Sequence, residues 1–160
     1  MRKLMTLAVI RDSSRILLGW KKRGFGSGRW NGFGGKVQPG ESIETAAKRE
    51  LEEECSLKTD SLKRVGIIDF EFEKDPDVMQ VHIFTTTQFE GEPTETEEMK
   101  PQWFDIDQIP FDQMWPDDVY WYPILLQGKY FRGWMKFRGV TDLLDWKLSI
   151  LSDESSLNTQ

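Results

Sequence analysis

The chain has 160 residues, 38% of them hydrophobic, with ten Phe and seven Trp and a formal net charge of −6. That length supports one domain with a real core and is short for two, and the aromatic content excludes a disordered acidic tail. The negative balance repels polyanions, so no nucleic-acid duplex is expected as a partner, and a phosphate ligand must arrive with metal ions or meet a local basic patch.

Leu4 to Ile10 and Arg15 to Lys22 read as two strands joined by a turn at Asp12-Ser13-Ser14. The apolar run near the N-terminus is too short for a signal peptide. Residues 24 to 40 are rich in glycine (Gly24, Gly26, Gly28, Gly32, Gly34, Gly35 and Gly40), interleaved with Phe25, Trp30, Asn31 and Phe33. Such a segment bends sharply or lets backbone approach something closely. A helix over 42–55 follows the Pro39-Gly40 turn. Ile68, Phe70 and Phe72 alternate with acidic residues as a one-faced strand, and Met79 to Phe89 is another strand. Pro110 and Pro116 lead into a second helix over 119–128, and strands over 130–138 and 143–151 close the domain. The expectation is a single α/β domain over 1–151, with residues 152–160 a polar, mobile tail. No segment reaches the roughly 20 apolar residues of a membrane span. Cys55 is the sole cysteine, which fits a reducing compartment. The expected compartment is cytoplasmic, with mitochondrial and nuclear fractions left open.

The first helix carries an unusual load of glutamates. At about 100° per residue, Glu50, Glu53 and Glu54 fall within a sector of about 100° that also carries Ile43, Ala46, Ala47 and Leu51. Glu44, Glu52, Lys48 and Arg49 take the other side and read as solvated charges. Carboxylates buried together without a partner cost several kcal/mol. A cation from outside the helix is therefore needed, and hard oxygen ligands on a rigid helix suit Mg²⁺ or Mn²⁺. Gly34-Gly35-Lys36 brings bare backbone and an ammonium next to that face, a combination suited to phosphate. It is not a Walker A loop, because Val37 stands where Ser or Thr is required.

Gly35, Glu41 and Arg49-Glu50-Leu51-Glu52-Glu53-Glu54 have the spacing of the Nudix box, G-x5-E-x7-R-E-U-x-E-E-x-G-U with U apolar, and the chain resembles that hydrolase family. Ser56 departs from the box, standing where glycine would cap the helix in a left-handed conformation. WKKRGFGSGRWNGFGGKVQ, EEMKPQWF and MWPDDVYWYP are further similar to the animal branch of the family that acts on oxidised purine nucleoside triphosphates such as 8-oxo-dGTP and 2-hydroxy-dATP. The resemblance implies an αβα sandwich around a mixed sheet, a monomer, and Mg²⁺-dependent attack of water that yields nucleoside monophosphate and pyrophosphate, clearing the nucleotide pool. It implies Gly34, Glu50, Glu53, Glu54 and Glu98 as metal ligands, Glu53 as the favoured general base, and Arg49 as the residue orienting the box carboxylates. Lys21 and Lys36 would lie near the phosphates.

The same resemblance points to Asn31, Trp115, Asp117 and Asp118 as base readers, with Thr6, Phe25, Phe70, Phe72 and Met79 lining the pocket. Phe33, Gly34, Gly35, Pro116 and Trp121 complete the expected substrate contacts. These residue types suit base recognition, since Trp stacks on a purine and Asn offers a donor and an acceptor to a base edge. Two adjacent aspartates in a dry pocket are not both ionised, so one holds a proton. Exchange of that proton between them would let one pocket take oxidised guanine and oxidised adenine. Pro116-Asp117-Asp118 equally suits a helix N-cap, and His82 reads as structural. Other phosphohydrolase specificities (cap-like nucleotides, dinucleoside polyphosphates, nucleotide sugars) and a non-catalytic nucleotide-binding module remain as alternatives.

Overall fold

The run from Leu4 to Ile10 is apolar at both parities, the pattern of a strand covered on two faces. The computed structural model, which describes residues 1–158, shows that arrangement. The elements are β1 (Arg2–Arg11), β2 (Arg15–Lys21), β3 (Trp30–Asn31), α1 (Ile43–Cys55), β4 (Lys63–Phe72), β5 (Val78–Thr86), β6 (Met99–Asp105), α2 (Asp118–Leu126), β7 (Tyr130–Arg138) and β8 (Asp142–Leu151). Along β1, Ala8 and Ile10 pack with Phe33, Ala47 and Leu51 under α1. Val9 points the other way, into a core with Ile68, Ile83, Phe131 and the α2 residues Trp121, Tyr122 and Leu125. One sheet between two helix-covered cores is the expected αβα sandwich.

The sheet order is β3-β2-β1-β5-β4-β7-β8, with β6 pairing β2. β1 runs parallel to β5 and β4 parallel to β7, while β1–β2, β4–β5 and β7–β8 are antiparallel. Asp12 closes the first hairpin by accepting the backbone N–H groups of Ser14 and Arg15 at 2.9 and 2.7 Å. α1 is capped by Ser42, whose hydroxyl accepts the Thr45 N–H at 3.1 Å. It ends at Ser56 with φ 68°, the left-handed conformation in which the box places glycine.

Two features differ from the sequence reading. β6 was not anticipated, because Lys100, Pro101 and Gln102 interrupt any apolar alternation there. It is tolerated as an edge strand, with Pro101 opposite Gly19 and needing no ladder donor on its outer side. The tail expected to be free from residue 152 folds back instead. Residues 154–158 form a 3₁₀ turn, Leu157 is 1% exposed, and Arg132 donates to the Leu157 carbonyl at 3.3 Å. Leu157 and hydrogen bonds from Arg132 and Arg64, the latter to Asn158, anchor it. Residues 159 and 160 of that expected tail lie outside the described residues. Among the described residues no helix is long and apolar enough to cross a membrane.

Candidate active site

A cleft opens between the β1/β5/β4 strands and the start of α2. β1 contributes Thr6, β4 contributes Phe70 and Phe72, and β5 contributes Met79. Trp115, Asp117, Asp118 and Trp121 come from the entry and first turn of α2, Asn31 from β3, and Gly34 and Gly35 from the segment after it. Phe25, from the glycine loop, sits at the rim with its ring 5.4 Å from Trp115 and 5.5 Å from Phe72. The segment carrying Asn31 to Gly35 is laid along β1: the Gly35 carbonyl accepts the Thr6 N–H at 2.9 Å, and Phe33 exchanges bonds with Ala8 at 2.6 and 3.0 Å. Gly34 is required there, since a Cβ would lie 1.8 Å from the Thr6 carbonyl oxygen.

The cleft's α2 end is polar at its base. Asp117 and Asp118 are 1% and 3% exposed. Neither caps the helix: Asp117 makes no side-chain cap bond, and its Oδ2 accepts the Trp121 indole N–H at 2.8 Å. The capping alternative is thereby corrected. Burial raises the pKa of both carboxyls, further for Asp118 because the neighbouring Asp117 charge adds to desolvation. Burial and mutual repulsion thus disfavour ionisation of both carboxyls together. Among the described residues, the buried side-chain polar atoms without a partner are Thr6 Oγ1, Arg29 Nη1, Asp117 Oδ1, Asp118 Oδ2 and Tyr122 Oη. Thr6, Asp117 and Asp118 line the cleft, Arg29 stacks on its Trp115, and Tyr122 lies on the next turn of α2. Buried polar groups are normally satisfied, so this concentration marks a place built for a hydrogen-bonding ligand.

The other end is acidic. Glu54, nearly buried, accepts the Gly34 N–H at 2.8 Å. Its pKa is pushed up to about 8, first by burial and then by the charges of Glu50 and Glu98, while the Gly34 N–H and Lys21 pull the other way. Glu50 lies so close to Gly35 that a Cβ there would sit 2.6 Å from its Oε1. Burial likewise raises the Glu50 pKa. Arg49, which the helical wheel turned away, folds back over this face. It forks onto Glu41 at 2.7 and 3.0 Å, reaches Glu50 at 3.0 Å and Glu53 at 3.1 Å, and donates to the Lys36 carbonyl at 3.0 Å. It thereby pairs with three carboxylates of the box.

Several expected site residues stand elsewhere. Phe33 faces away from the cleft, fully buried under α1 with Ala47 and Leu51. Lys36 is exposed, so Lys21 is the lysine that lines the cleft and faces Glu54. Pro116 is not among the lining residues. Glu53 is exposed (58%), held by Arg49 rather than packed. Glu98 is paired with Arg23 at 2.9 and 2.6 Å. Among the described residues no three carboxylates converge ready-made on one point. The donor set nonetheless fits a divalent cation: hard carboxylate oxygens of Glu50 and Glu54, a backbone cradle at Gly34–Gly35, and crowded negative charge.

The sequence reading missed Met5, Leu7, Val81, Ile83 and Met99, which also line the cleft. Strand alternation could have found two of them, since Val81 and Ile83 share Met79's face of β5 at a period of two. It missed Arg29 as well, although that residue directly precedes Trp30 and Asn31. His82 is structural in its surroundings: burial, then Arg64 and Arg132, lowers its pKa to about 4, and it bonds Gln80 at 3.0 Å. Cys55 is buried with its thiol pushed up to about 12, chiefly by desolvation, and is inert at neutral pH.

A carboxylate-rich helix behind a glycine cradle, on an αβα sandwich with a deep cleft, defines a hydrolase of the Nudix class. The NUDIX domain model matches residues 1–125, and the chain belongs to that family. Nudix hydrolases act with divalent metal ions. The chain is 55% identical over 151 residues to the oxidized purine nucleoside triphosphate hydrolase of Danio rerio, covering 94% of this chain and 97% of that protein. It is 57% identical over 146 residues to the Mus musculus protein of the same name, covering 91% and 94%. Among solved structures it is similar to a MutT protein from Bacillus halodurans, with a TM-score of 0.83 at 26% identity over 92% of this chain and 97% of that one.

Proposed function

We propose that the protein hydrolyses oxidised purine nucleoside triphosphates, 8-oxo-dGTP and 2-hydroxy-dATP among them, to the monophosphate and pyrophosphate, and so keeps damaged bases out of DNA. The observation that supports this reading is the buried Asp117–Asp118 pair, whose burial disfavours double ionisation, at the base of an aromatic cleft whose other end is acidic. A neutral carboxyl donates to a base carbonyl while its ionised neighbour accepts from base N–H groups. Exchange of the proton between the two accommodates both oxidised purines. Trp115 gives the ring a stacking face, Asn31 addresses its edge, and Phe25 covers the rim.

The triphosphate then extends along Gly34–Gly35 toward α1. Glu50, Glu54 and the Gly34 carbonyl would hold Mg²⁺, for which Mn²⁺ can substitute, with Glu53 and Glu98 close by on the same side. The ion supplies neutralisation of charge developing on the phosphates. Lys21 adds a cation at the cleft wall. Glu53, exposed and free to swing from Arg49, accepts the proton of the attacking water. Arg49 keeps Glu50 in position throughout. The buried, unpaired Cys55 suits a reducing cytoplasm.

The test is kcat/KM for 8-oxo-dGTP and dGTP with and without Mg²⁺, with product identification. A Mg²⁺-dependent preference for the oxidised nucleotide with release of pyrophosphate is expected. Equal slow turnover of the two would overturn the substrate assignment and leave the family chemistry standing.

A further inference from the structure

Arg29 lies in the glycine loop between β2 and β3, pinned through its carbonyl, which accepts the Lys21 N–H at 3.0 Å. Its guanidinium stacks over the Trp115 ring at 4.7 Å from the centroid. The same loop presses on that indole through Gly26, where a Cβ would sit 2.8 Å from the ring. Trp115 lines the same cleft as Asp117 and Asp118, and the Arg29 charge acts on both carboxyls. Arg29 has no carboxylate salt-bridge partner among the described residues, and its Nη1 is buried without a hydrogen bond. A buried guanidinium nitrogen left bare is costly, and ordinary packing does not call for one.

We propose that Arg29 is a specificity-determining positioning residue, which clamps Trp115 and supplies the counter-charge that keeps the Asp117–Asp118 pair singly rather than doubly protonated. The proposal rests on the reading of that pair as the base reader. With both carboxyls neutral the pocket would offer two O–H donors and lose the ionised acceptor that base N–H groups require. The Arg29 charge lowers the pKa of both aspartates against the larger effect of burial. The other titratable group beside the pair is Tyr122, whose pKa is held well above the usual phenol value by burial and by the two carboxylates, so it stays a neutral hydroxyl. Lys21 and Glu54 line the same cleft toward its acidic end.

The experiment is a ¹³C NMR titration of the aspartate carboxyls in the substrate-free protein, alongside the pH dependence of kcat/KM for 8-oxo-dGTP. The variants are Arg29→Gln, Arg29→Met and Arg29→Lys, with thermal melts to confirm folding. Arg29→Gln should move the pair's titration, and with it the acid limb of kcat/KM, upward by about one pH unit. Arg29→Met, which preserves apolar contact with Trp115, should do the same and serves if the glutamine variant does not fold. Arg29→Lys should stay near wild type in titration and lose affinity through poorer stacking, seen as a raised KM with kcat retained. Titration curves of the neutral variants that superimpose on wild type would overturn the proposal, as would a lysine variant shifted as far as they are. Absence of preference for the oxidised nucleotide in the wild type would sink the base-reading function and leave the NMR result standing by itself.

Discussion

Trp121 donates its indole N–H to Asp117 at 2.8 Å, one helical turn away on α2, and thereby makes two neighbouring aspartates unequal. Asp117 has a donor that stabilises its charge, whereas Asp118 has the Asp117 charge beside it and burial on all sides. Ionisation is therefore disfavoured more strongly at Asp118 than at Asp117.

Asp118→Asn fixes a neutral donor at 118 and abolishes proton exchange. It should spare whichever oxidised purine is read with Asp118 neutral and weaken the other by roughly 10- to 100-fold in kcat/KM, the cost of one mismatched buried hydrogen bond. Steady-state kinetics on 8-oxo-dGTP and 2-hydroxy-dATP would show the split. Unchanged activity on both would remove proton exchange from the account.

Glu53→Gln removes a carboxylate that is exposed and tied only to Arg49. We expect kcat to fall by about 10²–10⁴, the usual worth of a positioned general base. KM and the melting temperature should hardly move. A larger loss from Glu50→Gln or Glu54→Gln, with Glu53→Gln nearly active, would reassign the base.

Glu54 gives the metal-free protein a pH-dependent stability. Its folded pKa, about 8, lies above the ordinary glutamate value of 4.5, so the folded state holds its proton more tightly than the unfolded chain. That contribution is fully present below 4.5 and is lost as pH rises through 8. Calorimetry without metal should show the melting temperature falling by several degrees between about pH 4.5 and 8. Added Mg²⁺ should restore it most at high pH, where no proton competes for the carboxylate.

Ser56 occupies the left-handed helix cap at φ 68° with a side chain that disfavours it. Ser56→Gly should stabilise the fold by about 1 kcal/mol, a rise of about 2–4 °C in a chain of this size. Activity should be unchanged, because no candidate ligand atom is altered.

Leu157→Ala tests the packed tail. Truncating a leucine that is 1% exposed should cost about 2–4 kcal/mol, measurable as a drop in denaturation midpoint. No effect would mean that residues 154–158 detach readily in solution.

Much of this architecture was legible from the residues alone. Period-two patterns gave β4, β5, β7 and β8 to within a few positions, and fixed spacing gave the carboxylate helix. Where a local rule was silent, the reading stopped. Nothing local marks Lys100–Gln102 as a strand, since β6 exists only because β2 offers it an edge. Arg49 looked solvated on a wheel, because a wheel shows a side chain's starting direction and not the reach of a long flexible one. Phe33 and Asn31 are two apart in a glycine-rich segment, yet one feeds the α1 core and the other the cleft. Which face each takes depends on how that segment lies along β1, and this is a tertiary fact.

That same segment has a consequence for where the reaction occurs. From Asn31 to Gly35 is four residues of backbone, at most about 13–14 Å, bonded along β1 at Phe33 and Gly35. On the proposed reading, the base reader at one end and the carboxylate cradle at the other are held at a fixed separation by this segment. A nucleotide seated by its base would then present the same phosphorus to the glutamates whichever purine it carries, and two bases with different edges would share one point of cleavage.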